Sequence, residues 1–249
     1  MQKIKLPKII GHRGASENAP ENTLSSISEA WAQSADGVEV DIRMTKDSEL
    51  VCIHDNNTLR TAGNDAIVEE TNFRKLREMD VGAWRGKEWK NEPIPLLSEV
   101  MDLIHEDKKL FIEVKNGIQA VQPLGEILEN YSELHKNISV VSFNEEVITQ
   151  IKQKFPGIKV NLLIAFDRDP EIQSSNLLKK LRLKDIDGTG LQTHMQLTKA
   201  FIDPIMEANK EVHVWTVDQP EQAKHYKEMG LHSITTNRPG SIKTYLLSA

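Results

Sequence analysis

The chain has a single cysteine, Cys52, in 249 residues, which excludes any disulfide within it. The setting Leu50-Val51-Cys52-Ile53 points to packing rather than reactivity. No apolar run approaches the length of a membrane span. Met1-Gln2-Lys3-Ile4-Lys5-Leu6-Pro7 lacks the long apolar stretch of a secretory signal, so the expected location is cytoplasmic. Basic residues are not in excess: 31 Lys and Arg against 37 Asp and Glu leave a net charge of −6. A nucleic-acid partner, which needs a basic face, is therefore not expected, and a phosphate-bearing substrate must be met by a few local cations. No Gly-x-Gly-x-x-Gly follows any strand-like run, which removes the main signature of a dinucleotide-binding sheet. Internal repeats, low-complexity tracts and linkers are also missing.

The stretch Gly37-Val38-Glu39-Val40-Asp41-Ile42-Arg43-Met44-Thr45 stands out. Side chains alternate faces along a strand, so Val38, Val40 and Ile42 share one face while Glu39, Asp41 and Arg43 share the other. Two acids one pleat apart repel unless a cation or proton is shared between them. A half-exposed polar face would also account for the pair, so a cation is the better explanation only if further ligands converge on it.

Strand-like runs alternate with helix-like ones along most of the chain. Apolar segments at 8–11, 37–45, 110–115, 138–143, 159–165, 188–192, 212–217 and 232–236 make eight strands. The first helix, capped by Asn22 or Thr23, carries an apolar stripe of Leu24, Ile27, Ala30 and Trp31. Further helices are expected at about 97–105 and at 118–134, the latter kinked at Pro123. Residues 49–53 return as an extended run after the turn Thr45–Ser48. Eight strand–helix units in a chain of this length predict an α/β fold, a closed (β/α)8 TIM barrel forming one domain over 1–249. Residues 56–95 break the alternation and are expected as an insertion after the second strand that folds over the barrel mouth.

In such a barrel the chemistry sits at the C-terminal strand ends. Those ends carry His12 and Arg13, then Glu39, Asp41 and Arg43, then His54, Glu113 and Lys115, then His194, Trp215, Asn237 and Arg238. Glu113 and Lys115 repeat the two-residue spacing and face inward past Ile112 and Val114. Glu39, Asp41 and Glu113 from neighbouring strands offer an all-oxygen site that suits Mg²⁺ or Ca²⁺. His12 and His54 titrate near neutrality and are the candidate acid and base, and Arg13 and Lys115 are the cations an anionic substrate needs. Trp215 fits a pocket wall. His105, His135, His213, His225 and His232 lie on helices or at the opposite strand ends, and Trp84 and Trp89 fit satellite packing better than cover for the mouth.

At these residues the sequence resembles the glycerophosphodiester phosphodiesterase family. The likeness runs through Gly11-His12-Arg13-Gly14, Pro20-Glu21-Asn22-Thr23, Gly37-Val38-Glu39-Val40-Asp41 and His54-Asp55. It continues through Ile94-Pro95-Leu96-Leu97, Ile112-Glu113-Val114-Lys115, Ser142-Phe143, Trp215-Thr216-Val217 and Thr235-Thr236-Asn237-Arg238-Pro239. The resemblance implies a (β/α)8 barrel with one divalent cation on Glu39, Asp41 and Glu113 and with His12 and His54 as acid and base. It also implies hydrolysis of a small-molecule glycerophosphodiester to sn-glycerol 3-phosphate and an alcohol. Asn237 departs from the Asp usual in the family, and Ser48 departs from the usual Gly. Two rival readings are a lysophospholipase D-like phosphodiesterase of the same barrel type and a non-catalytic barrel that only binds phosphodiesters. The spacing leaves open which histidine is acid, and whether water or a glycerol hydroxyl attacks.

Overall fold

Nine extended segments form one sheet in the computed structural model, which describes residues 6–195 and 197–248. The expectation for Met1–Lys5 lies outside the described residues. The strands are β1 (Lys8–His12), β2 (Gly37–Met44), β3 (Leu50–Cys52), β4 (Lys109–Val114) and β5 (Ile138–Ser142), followed by β6 (Lys159–Ile164), β7 (Gly188–Gln192), β8 (Glu211–Trp215) and β9 (Ser233–Thr236). Parallel pairing runs from β1 through β2 and β4 to β9, and β9 pairs back onto β1, which closes an eight-stranded barrel. The (β/α)8 expectation holds. The extended return at 49–53 is β3, antiparallel to the end of β2, with Ile42 opposite Cys52 and Met44 opposite Leu50.

Both faces of the barrel wall are buried, which is why its strands are rich in Val, Ile and Leu. Val38, Val40 and Ile42 face outward into the main core beneath the helices. Ile10, Phe111, Val141 and Leu163 form a second cluster, with Phe143 and Trp215 packed against it. The register sets His12 beside Glu39 and Asp41 beside Glu113. Neighbouring strands lie about 4.8 Å apart, so this register alone gathers the three acids.

Thr23, not Asn22, caps the first helix (Leu24–Ala32): its hydroxyl accepts from the Ser26 amide, and Ser26 answers the Thr23 amide. Asn22 turns inward instead. Pro123 causes no kink because it is the third residue of the helix Val121–Asn130, where an amide hydrogen has no partner to lose. That helix is shorter than expected, preceded and followed by 3₁₀ turns at Ile118–Ala120 and Ser132–Asn137. The helix at Leu97 ends at Met101, ahead of the expected 105. Residues 56–95 hold only short pieces, the helices Leu59–Ala62 and Phe73–Arg77 and two 3₁₀ turns. Val68, Leu76, Val81 and Ile94 in this segment pack with Val51 and Ile53 as a small separate cluster.

Candidate active site

Carboxylate oxygens of Glu39, Asp41 and Glu113 all lie within 4.8 Å of one another. Two cations are set against these three acids. The Lys115 ammonium is 2.6 Å from Glu113 Oε1 and 3.0 Å from Asp41 Oδ1. Arg13 Nε is 3.0 Å from Asp41 Oδ2, and its Nη1 donates to Glu21 Oε1 at 2.8 Å. Arg13 reaches this position from the left-handed region, φ 55°, a conformation that non-glycine residues adopt only where the surroundings enforce it. Its amide is held by Glu39 Oε2 at 3.0 Å. The next residue, Gly14, has φ 84°, and a Cβ there would lie 2.3 Å from Ser26 Oγ, so only glycine lets this loop press onto the first helix.

The charges sort themselves by partner. Burial acts to raise Asp41, but Lys115, Arg13 and His54, with a bond from Asn22 Nδ2 at 2.9 Å, overrule it and hold the carboxyl below the usual range. Burial and the neighbouring Asp41 and Glu113 charges push Glu39 well above its ordinary value. There the same two cations, Arg13 and Lys115, act to lower it but do not prevail. Burial, then the charge of Asp41, raises Glu113 to about 7. Glu39 Oε1 is buried and has no hydrogen-bond partner among the described residues. An orphaned buried carboxylate oxygen in a cluster short of one positive charge fits a bound cation. With oxygen donors only, that cation is a hard one.

His12 and His54 line the same cavity and are held differently. His54 Nδ1 lies 2.7 Å from Asp55 Oδ1, and Asp55 Oδ2 accepts from Arg60 Nε at 2.7 Å. Arg60 in turn grips both oxygens of Glu21 at 2.7 Å. His12 Nδ1 lies 2.7 Å from Asn237 Oδ1, a neutral acceptor. Burial and the nearby Arg13 charge lower His12 from 6.5 to about 4, and burial also lowers His54.

His12, Arg13, Glu39, His54, Glu113, Lys115 and Trp215 line one cavity of about 200 Å³. The expected site residues therefore converge, with Asp41 just beneath the surface. Of the other strand-end candidates, Asn237 touches His12, whereas Arg43, Arg238 and His194 do not line this cavity. Arg43 Nε is spent on the His54 carbonyl at 2.8 Å, and Arg238 pairs with Glu17 at 2.7 Å. His194 is exposed and stacks on Phe166. Neither Trp84 nor Trp89 is among the residues lining the cavity.

The family model for the glycerophosphoryl diester phosphodiesterases matches residues 12–241. The chain belongs to that family. It is 30 % identical to YhdW of Bacillus subtilis (strain 168) over 237 residues, covering 94 % of this chain and 96 % of that one. It is 27 % identical over 239 residues to the glycerophosphodiester phosphodiesterase of Caldanaerobacter subterraneus subsp. tengcongensis, covering 94 % and 95 %. Among solved structures it resembles a phosphodiesterase of Oleispira antarctica, determined in complex with the product sn-glycerol 3-phosphate. The TM-score is 0.83 and the identity 25 %, over 98 % of both chains. The family places this chain among the phosphoric diester hydrolases.

Several cavity residues of this phosphodiesterase carried no expectation from the sequence. Arg168, in the loop after β6, covers the Phe143 ring at 4.6 Å and lines the cavity mouth. His213, set aside as lying at the opposite strand end, reaches the lumen, where Nδ1 meets Ser233 Oγ at 2.8 Å and its ring abuts Phe111. The signal was present: His213 precedes Trp215 by two, the same inward spacing as Glu113 and Lys115. Asp55 and Glu21 lie within motifs quoted above, but their roles depend on Arg60, a residue of the 56–95 segment.

Proposed function

We propose that this phosphodiesterase hydrolyses glycerophosphodiesters to sn-glycerol 3-phosphate and an alcohol, with Glu39, Asp41 and Glu113 holding one Mg²⁺ or Ca²⁺. When bound, that cation supplies Lewis-acid polarisation of the phosphoryl oxygens. Arg13 and Lys115, no longer needed to balance the acids alone, are then free to meet the substrate phosphate and stabilise the charge that builds on it. His12 takes the proton from the attacking oxygen, which is either water or the glycerol hydroxyl beside the phosphate, the latter giving a cyclic phosphate that water then opens to sn-glycerol 3-phosphate. His54 gives a proton to the alkoxide as the phosphorus–oxygen bond to the alcohol breaks. This division follows from their partners: Asp55 favours a protonated ring at His54, whereas the Asn237 amide offers His12 no charge. Trp215 forms the cavity wall, and residues 56–95 fold over the mouth and bring Arg60 to Asp55 and Glu21.

The observation that carries the reading is one cavity lined by two imidazoles, each anchored through Nδ1, and by Glu39 and Glu113, with Asp41 clustered against them just beneath its surface. The direct test is turnover of glycerophosphocholine with and without EDTA. Chelation is expected to abolish release of sn-glycerol 3-phosphate, and Mg²⁺ or Ca²⁺ to restore it. Undiminished turnover in excess EDTA, with the metal content measured, would refute the cation assignment.

A further inference from the structure

Asn237 is clamped from three sides. Its side-chain Nδ2 donates to Asp218 Oδ2 at 2.6 Å and its backbone amide donates to Asp218 Oδ1 at 2.8 Å. On the other face, Asn237 Oδ1 accepts from Ser16 Oγ at 2.8 Å and lies 2.7 Å from His12 Nδ1. Asp218 is itself fixed by Thr236 Oγ1 at 2.9 Å. The chain Asp218–Asn237–His12 thus links the loop after β8, the loop after β9 and the end of β1.

The chemistry of these groups dictates where the protons are. An ionised carboxylate can only accept, so the group facing Asp218 Oδ2 at 2.6 Å must be the amide NH₂ and not the amide oxygen. With the amide so turned, an acceptor faces His12, and Nδ1 must carry the hydrogen to complete the bond. The lone pair of a neutral His12 is then on Nε2, and no described residue donates to it. Without Asp218's charge the Ser16 hydroxyl is the remaining side-chain restraint on the amide, and because a hydroxyl can accept as well as donate it permits either orientation. A flipped Asn237 would turn its NH₂ toward Nδ1 and favour the opposite tautomer, with a hydrogen on Nε2 and no base there.

We infer that Asp218 is a positioning residue for His12, acting through Asn237 to fix the imidazole tautomer that leaves Nε2 as proton acceptor. This rests on the reading of His12 as the base. Asp218 never touches substrate. Its carboxylate does at one remove what Asp55 does for His54 directly, and the intervening amide passes on orientation without passing on charge.

The test compares Asp218→Asn with the exchanged double variant Asp218→Asn/Asn237→Asp, using kinetics and the ¹⁵N chemical shifts of the His12 ring. The shifts are assigned by their loss in His12→Ala. Wild type is expected to show hydrogen on Nδ1. Asp218→Asn is expected to populate the Nε2–H form and lower kcat by about 10²-fold, within the usual worth of a positioned base, with KM and cation affinity unchanged. The double variant keeps every bond of the clamp with the two groups exchanged. The amide introduced at position 218 donates to the carboxylate introduced at position 237, whose second oxygen accepts from Nδ1. This variant is expected to restore hydrogen on Nδ1 and to regain kcat to within about tenfold of wild type at a pH high enough for the ring beside its new carboxylate to be neutral. A wild-type tautomer in Asp218→Asn overturns the inference, as does a double variant no faster than the single one. Full turnover by His12→Ala overturns instead the catalytic reading beneath it.

Discussion

The two histidines of the site show how one side chain is given two characters. His54 stands on a hairpin, at the end of the short antiparallel β3, and its ring is backed by a charged ladder of Asp55, Arg60 and Glu21. His12 stands on the barrel wall itself and is backed by a neutral amide. Both rings are anchored by the same atom at the same 2.7 Å. Distance does not distinguish them; the charge of the anchor does. A carboxylate stabilises the imidazolium and an amide does not, so Asp55 opposes the lowering that burial imposes on His54 with a charge that His12's anchor lacks.

The comparison breaks most visibly if either ring is removed. His12→Ala and His54→Ala are each expected to lower kcat by about 10²–10⁴ without altering cation affinity. Release of the metal as the main effect of either change would make that histidine a ligand. A finer cut makes the two anchors alike. Asp55→Asn replaces His54's carboxylate with an amide, and a loss of roughly tenfold in kcat is expected, about 1.4 kcal/mol. An unchanged rate would show that the charge at 55 plays no part.

The smallest effect is on stability. The unfolded chain binds a proton at His12 near pH 6.5, while the folded chain resists until about 4. Between those values the unfolded state holds more protons, so stability falls as pH is lowered from 6.5 toward 4. Urea unfolding across that window should show wild type losing about 2–3 kcal/mol relative to His12→Ala. A smaller difference is expected with His54→Ala, because His54 is the more open of the two. Parallel curves for wild type and His12→Ala would contradict the buried, neutral ring.

What the sequence disclosed was what strand geometry repeats. The two-residue spacing of Glu39 with Asp41, and of Glu113 with Lys115, names an inward face without knowledge of register, and the structure brings those faces together. His213 had the same parity with Trp215, but its place at the start of a strand hid it. Arg168 sits on a loop with no period to read. Arg60 meets Glu21 across 39 residues and Asp218 meets Asn237 across 19, contacts between loops that no strand or helix period encodes. Asn237 itself looked like a lost charge, because its meaning is held by Asp218.

The imbalance of three acids against two cations has a consequence for how the protein takes up its ion. Burial and their neighbours raise Glu113 to about 7 and push Glu39 above its ordinary value, so both hold their hydrogens more tightly than an ordinary glutamate. An arriving cation must displace them, so loading is a trade of protons for metal and not a simple docking. Occupancy is then expected to climb with pH through the range in which Glu113 titrates, and acidification to weaken binding.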